Sequence, residues 1–262
     1  MMKKLISFLF MFFMVFTTNA QVCPDNNHPH AIDLGLPSGT KWACCNVGAD
    51  TPEGYGGYYA WGETEEKEAY NEVTYQYCTG EGDNGYGWYL QNTQYQDLGS
   101  DIAGTHYDVA HEKWGGSWVM PSIDRIKELF DNCTHTFTCT ITNGVYGLMF
   151  TSKTNGSTIF IPASDYYSPR LGQYWGSSQE PSDLKWAYGF FFHMYDSGWC
   201  KYSHPLGLTV RPVIGETNSI VSISSEKSDG ADTWHTIDGK TLSGKPDAKG
   251  IYINNGKKLI IK

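Results

Sequence analysis

The side chains best equipped for chemistry crowd one late stretch of the chain. Tyr174, Trp175, Tyr188, Phe190, His193, Tyr195, Trp199 and Tyr202 fall there, with Trp186, Phe191 and Phe192 among them. The chemistry of such a set is recognition. Aromatic faces stack on sugar rings or fill pockets of a protein partner, and tyrosine offers a large contact area with few rotatable bonds. Along an extended strand, Trp186, Tyr188, Phe190 and Phe192 share one face, while Phe191, His193 and Tyr195 share the other. One face is expected to be core and the other an exposed ligand surface.

Residues able to make and break bonds are not arranged for it. His106, His111 and Glu112 read H-x4-H-E, which is not the H-E-x-x-H of zinc hydrolases, and positions five apart share a helix face poorly. The seven cysteines are Cys23, Cys44, Cys45, Cys78, Cys133, Cys139 and Cys200. None stands in a C-x-x-C or Cys/His zinc spacing. Cys44 and Cys45 point to opposite faces if their segment is a strand, whereas Cys133 and Cys139 are spaced to bridge a short hairpin-like loop. An odd count leaves one thiol over or paired outside the chain. Glu81, Asp83 and Asn84 supply hard oxygens of the kind calcium takes, although a solvated polar turn uses the same residues. There is no G-x-S-x-G elbow and no phosphate-cradling loop. Asp and Glu are numerous, so a carbohydrate-active enzyme with a carboxylate pair is the alternative, since such pairs are fixed by space and not by spacing. The expectation is a non-enzyme with no cofactor and no metal.

The elements that must position the aromatic set read mostly as strands and turns. Thr40 to Val47 is an apolar strand candidate, and the Gly56-Gly57 pair marks a bend. Residues 62–106 are polar and glycine-punctuated and read as long surface loops. A helix is signalled by Ser122 as cap, with Ile123, Ile126, Leu129 and Phe130 at helical spacing, ending near Asn132. A second, shorter helix is expected around Asp101 to Lys113. Thr134–Thr142, Gly147–Ser152 and Thr158–Pro162 form a meander joined by Asn143-Gly144 and Asn155-Gly156 turns. Trp186–Met194 is an aromatic strand ended by Asp196-Ser197-Gly198, and Leu208–Val213 closes the body. Arg211 in that closing strand needs a buried carboxylate or carbonyl partner, and Pro212 places it at an edge or a strand end.

Composition bounds the setting. The chain holds 9 Trp, 18 Tyr, 12 Phe and 29 Gly in 262 residues, which suits strands joined by tight turns. Lys3 and Lys4, the apolar run Leu5–Phe16 and the small-residue site Thr18-Asn19-Ala20 have the order of a secretory signal peptide. The apolar run is shorter than the ~20 residues a spanning helix needs. Cys23 raises a lipoprotein alternative, but Ala20-Gln21-Val22 puts no small residue beside it, which favours a start at Gln21. Removing residues 1–20 takes away two lysines and moves the formal net charge from −9 to −11. With no basic run, neither nucleic acid nor an anionic membrane surface is an expected partner.

Several motifs together point to a family. His30–Asp50 (HAIDLGLPSGTKWACCNVGAD), Gly56–Glu63 (GGYYAWGE), Trp114–Pro121 (WGGSWVMP), Asn143-Gly144-Val145, Tyr174–Ser178 (YWGSS) and Val210–Val213 (VRPV) occur in order over residues 30–214. This set resembles the Fibrobacter succinogenes major paralogous domain family of exported Bacteroidetes and Fibrobacter proteins. The resemblance implies a fold similar to the C-type lectin-like domain, shared with formylglycine-generating enzymes and retroelement variable proteins. In the variable relatives, ligand contacts come from the segment corresponding to Tyr174–Val210. The formylglycine-generating relatives need a pair of late cysteines, and only Cys200 lies late here. Calcium-dependent lectins carry EPN or QPD and then WND; Gln179-Glu180-Pro181 and Ser182-Asp183 do not match. The tail resembles short C-terminal modules tied to type IX export, through Asp238-Gly239-Lys240, Lys249–Ile253 and Gly256-Lys257-Lys258.

The expected protein is therefore α+β. It has a signal peptide (1–20), an exposed lead-in (21–29), a β-rich C-type lectin-like domain with one or two flanking helices and long loops (30–214), a linker (215–230) and a small C-terminal β module (231–262). It is expected to be a secreted or cell-surface adhesion module binding an extracellular glycan or protein ligand, with a structural surface protein as the second alternative.

Overall fold

The computed structural model describes residues 30–83, 87, 89–140, 144–164, 168–214, 234–236, 240–242, 244–246, 248, 250–254 and 257–261. The signal peptide, the lead-in with Cys23, the linker, Asn84, Asn143, Asp238-Gly239 and Asn255-Gly256 lie outside the described residues. The chain divides into two units, one running to Glu216 and the other from Thr217 to Lys262.

In chain order the first unit holds β1 (Ala31–Asp33), β2 (Lys41–Ala43), β3 (Cys78–Asp83), β4 (Leu90–Tyr95), α1 (Val109–Trp114), α2 (Ile123–Asn132), β5 (Cys133–Cys139), β6 (Tyr146–Ser152), β7 (Thr158–Pro162), β8 (Gly172–Gln179), β9 (Trp186–His193), β10 (Asp196–Ser203) and β11 (Val213–Ile214). These strands pair antiparallel in the orders β1-β2-β11, β3-β4, β5-β6-β7 and β10-β9-β8. The second unit holds β12 (Trp234–Thr236), β13 (Thr241–Leu242), β14 (Gly250–Asn254) and β15 (Lys257–Ile261), a four-stranded sheet in the order β13-β12-β14-β15.

The α+β class is corrected. The two helices among the described residues are only 6 and 10 residues long, and the remaining regular structure is mainly antiparallel strand in small sheets. Two local causes reduce the helix content. The expected helix over 101–113 begins only at Val109, because Gly104 has a φ of +73° and Asp108 is extended. The Asp108 carboxylate then caps α1, accepting from the backbone N–H groups of Ala110 and His111. Within 62–106, read as loop, β3 and β4 pair as an irregular hairpin with register shifts around Glu81.

The strand expected over Thr40–Val47 is confined to Lys41–Ala43, and that over Leu208–Val213 to its last residue, where β11 begins; α2 and the meander fall within about three residues of their expected bounds. Ser122 caps α2, its Oγ accepting from the Arg125 N–H, and Ile126 and Leu129 are buried. The meander β5-β6-β7 forms as its turn signals require, with Gly156 at a φ of +75°. Cys133 and Cys139, however, sit at opposite ends of the single strand β5. Six residues of extended chain separate them by about 20 Å, far beyond disulfide reach. Cys78, Cys133, Cys139 and Cys200 form no disulfide among the described residues.

The sheet β10-β9-β8 is apolar on both faces. Tyr174, Phe190 and Phe192 join Trp42, Ile126, Leu129, Leu148 and Phe150 in one core. Trp175, Ala187 and Tyr202 join Trp61, Trp114, Trp118 and Met120 in the other. Neighbouring residues Tyr174 and Trp175 thus enter different cores, as strand alternation demands. Gly189 lets β8 and β9 approach: a Cβ there would lie 2.1 Å from the Tyr174 carbonyl oxygen. Arg211 is fully buried and donates to the carbonyls of Ala43 and Phe160, both at 3.1 Å, and of Pro52 at 3.5 Å. It fastens three segments through backbone oxygens. Pro212 directly precedes the short strand β11, the strand-end position its missing N–H favours.

Candidate functional site

The two-sided burial of β10-β9-β8 decides which aromatic residues can meet a ligand. Tyr174, Trp175, Phe190 and Tyr202 are buried. Tyr174 stacks on Phe190 with centroids 4.7 Å apart, and its hydroxyl donates to the Pro162 carbonyl at 2.6 Å. The Trp175 indole N–H donates to the Tyr59 carbonyl at 2.7 Å, and its ring meets Tyr202 edge-on. These four of the expected contact residues are core side chains with their polar atoms used internally. The expectation of one open aromatic face is corrected: a second core covers it.

The other four are Tyr188, His193, Tyr195 and Trp199. Tyr188 and His193 are half-buried, Trp199 is 48% exposed and Tyr195 is 84% exposed. All lie on the β9–β10 hairpin, whose turn is Met194-Tyr195, since His193 pairs with Asp196. Asp196-Ser197-Gly198, read as ending the strand, instead begins β10. Trp199 stands beside α2, with the Lys127 ammonium 4.7 Å from its ring centroid and Tyr188 packed edge-on at 6.3 Å. Tyr195 projects at the turn, where its backbone N–H donates to His193 Nδ1 at 3.2 Å.

A concavity of about 310 Å³ opens where this turn meets the meander. Strand β5 contributes His135 and Phe137, β6 contributes Leu148, and the hairpin contributes His193, Met194, Tyr195, Asp196 and Ser197. His135 is packed by Phe130 and Phe150 at 5.3 and 5.5 Å. Burial, with Lys153 adding to it, holds its pKa below the ordinary histidine value, so it is neutral at pH 7. His193 and Tyr195 are the two expected residues that line this hollow. His135, Phe137, Met194, Asp196 and Ser197 escaped sequence reading. The alternation Thr134-His135-Thr136-Phe137-Thr138 places His135 and Phe137 on one face, but nothing in the sequence puts β5 beside the hairpin.

The remaining chemical candidates resolve into structural roles. Glu72 accepts from the Leu90 N–H, Tyr95 hydroxyl, Thr93 hydroxyl and Lys185 ammonium, at 3.1, 2.8, 3.3 and 3.1 Å. Burial alone would raise its pKa, but the bonds from Tyr95, Lys185 and Leu90 outweigh this and lower it. Glu63 is held by Lys67 at 2.6 Å and by the Gln76 N–H. The Glu180 carboxylate accepts from Ser182, and the His106 ring lies tilted against Tyr107, centroids 3.9 Å apart. Among the described residues, no group of three His, Cys, Asp or Glu is placed to hold a metal ion, and no helix is long and apolar enough to cross a membrane.

His204, unremarked in the sequence, is fully buried just after β10. It stacks on Trp61 at 4.2 Å and meets the Tyr75 and Tyr95 rings, each at 6.1 Å. Neither ring nitrogen has a hydrogen-bond partner, and burial holds its pKa down to about 3. It too is a core residue.

No family model, no curated protein and no solved structure matches this chain.

Proposed function

We propose that this chain is an exported, non-catalytic binding protein that captures an extracellular glycan or protein ligand through the β9–β10 hairpin. The observation that carries this reading is the exposure of Met194, Tyr195 and Trp199 within six residues of one hairpin. They are three of the eight large apolar side chains exposed among the described residues, and Met194 and Tyr195 border the concavity. Tyr195 and Trp199 hold apolar area in water that contact with a ligand would bury. Export rests on the order of charges and apolar residues in 1–20, and retention at the cell surface on the tail pattern. The motif resemblance over 30–214 is a further support, because that family consists of exported proteins.

The test is capture by the full chain on a glycan panel and an extracellular-protein panel, compared with the Tyr195→Ala/Trp199→Ala double variant. The double variant is expected to lose the captured ligand while its far-UV circular dichroism and denaturation midpoint stay within error. A ligand bound equally by both chains would move the site away from this hairpin.

A further inference from the structure

Building on the hairpin reading, we propose that the concavity beside the β9–β10 turn receives a single neutral hexose unit of a glycan chain. At about 310 Å³ it lies at the small end of ligand pockets, which begin near 300 Å³. A protein partner buries roughly 800 Å² on each side, whereas a hollow of this volume suits a single small ring. A sugar ring needs an apolar platform for its C–H face, together with donors and acceptors for its hydroxyls.

Both are present. Tyr195, largely exposed at the turn, supplies the aromatic face, while Phe137, stacked on Tyr146, borders the hollow from the meander. His193 Nδ1 accepts the Tyr195 N–H, which leaves Nε2 as the ring's donor. Asp196, paired with His193 in the hairpin register, accepts the Ser197 N–H on Oδ1 at 2.8 Å and keeps Oδ2 as an acceptor. One donor beside one anionic acceptor suits neighbouring hydroxyls, each of which both donates and accepts. The same carboxylate, on a chain with a formal net charge of −9, disfavours uronate and sulfate groups.

The experiment compares binding of the full chain to neutral oligosaccharides (cello-, manno- and galacto-series) and to acidic ones (oligogalacturonates and sulfated glycosaminoglycan fragments). Neutral members are expected to bind and acidic ones not. Tyr195→Ala should weaken neutral binding at least tenfold with an unchanged circular dichroism spectrum. Asp196→Asn should weaken neutral binding and raise binding of oligogalacturonates. Preference for acidic members, or no neutral member bound at millimolar concentration, overturns the sugar assignment. Capture of a protein ligand that Tyr195→Ala abolishes also overturns it, yet keeps the hairpin as the binding surface. A ligand of either class that ignores both Tyr195→Ala and Asp196→Asn overturns the two together.

Discussion

His204→Phe should change how the stability of the first unit depends on pH. In the folded chain the imidazole is enclosed by Trp61, Tyr75 and Tyr95, with no hydrogen-bond partner on either nitrogen. Burial holds its pKa down to about 3, outweighing the opposing influence of the nearby Trp186 carbonyl, which makes no hydrogen bond of good geometry to the ring, and of Asp183. The unfolded value is about 6.5. Above pH 6.5 both states are neutral and the residue contributes no pH dependence. As pH falls from 6.5 toward 3, the unfolded chain takes up a proton that the folded chain refuses, so stability is lost. At pH 5 the difference is about 1.5 pH units, or about 2 kcal/mol at 1.36 kcal/mol per unit. That is a sizeable share of a typical 5–15 kcal/mol domain stability. Phenylalanine keeps an aromatic ring in the box and cannot be protonated, and any packing cost it adds is the same at every pH. Glu72 and the other carboxylates are present in both chains and cancel. Urea denaturation followed by tryptophan fluorescence at pH 8, 6.5 and 5 measures the difference. The variant should gain about 2 kcal/mol on the wild type between pH 8 and pH 5. Parallel pH profiles for the two chains would refute the argument, because His204 would then titrate alike folded and unfolded.

Two further substitutions probe what holds the hairpin in place. Arg211→Met removes the donors to the Ala43 and Phe160 carbonyls. It should cost about 2–4 kcal/mol in denaturation experiments, at about 1–3 kcal/mol per stranded group less the relief of a buried charge. Arg211→Lys should not recover this, since one ammonium cannot reproduce the fork; full recovery would show that charge alone matters there. Gly189→Ala forces a Cβ to within 2.1 Å of the Tyr174 oxygen, so β8 and β9 must part locally. A loss of about 1–3 kcal/mol is expected from such overpacking, read as a lowered urea midpoint; an unchanged midpoint would mean the strands yield freely.

How much of this was legible depends on the range of the interactions involved. The α2 boundaries follow from a cap and a 3.6-residue apolar period, both local, and they appear at Ser122 and Asn132. The meander follows from its turn residues and threonine-rich strands. Arg211 was readable as a buried residue seeking oxygen partners, although which carbonyls it reaches depends on three distant segments. The β3–β4 hairpin was not readable, because its bulged, glycine-containing strands carry no two-residue apolar alternation. The aromatic stretch gave a true signal of strand and a misleading one of surface. Alternation assigns Tyr188 and Phe190 to one face, but only the packing of α2 and the meander shows that Phe190 is sealed and Tyr188 is not. His135 and Phe137 illustrate the same limit: their face was readable, but their neighbour was not.

The position of the site follows from that packing. A sheet with one free face presents its ligand surface along the strands, and the aromatic alternation of β9 suggested such an arrangement. In β10-β9-β8 both faces carry core, so Tyr174, Trp175, Ala187, Phe190 and Phe192 have no outlet, whereas the edge strand β10 keeps Trp199 and Lys201 exposed. What remains accessible is the part of the hairpin that extends past the cores: the Met194-Tyr195 turn, and Trp199 where α2 leaves it half uncovered. A binding surface built there combines two properties that usually conflict. The turn is free to meet a ligand, and it is anchored by two strands whose every inward side chain is locked. Tyr195 can therefore stay solvated without a mobile backbone beneath it, which lowers the ordering cost of binding. Substitutions at the turn should then alter affinity with little effect on stability, and substitutions at Phe190 or Trp175 should do the reverse.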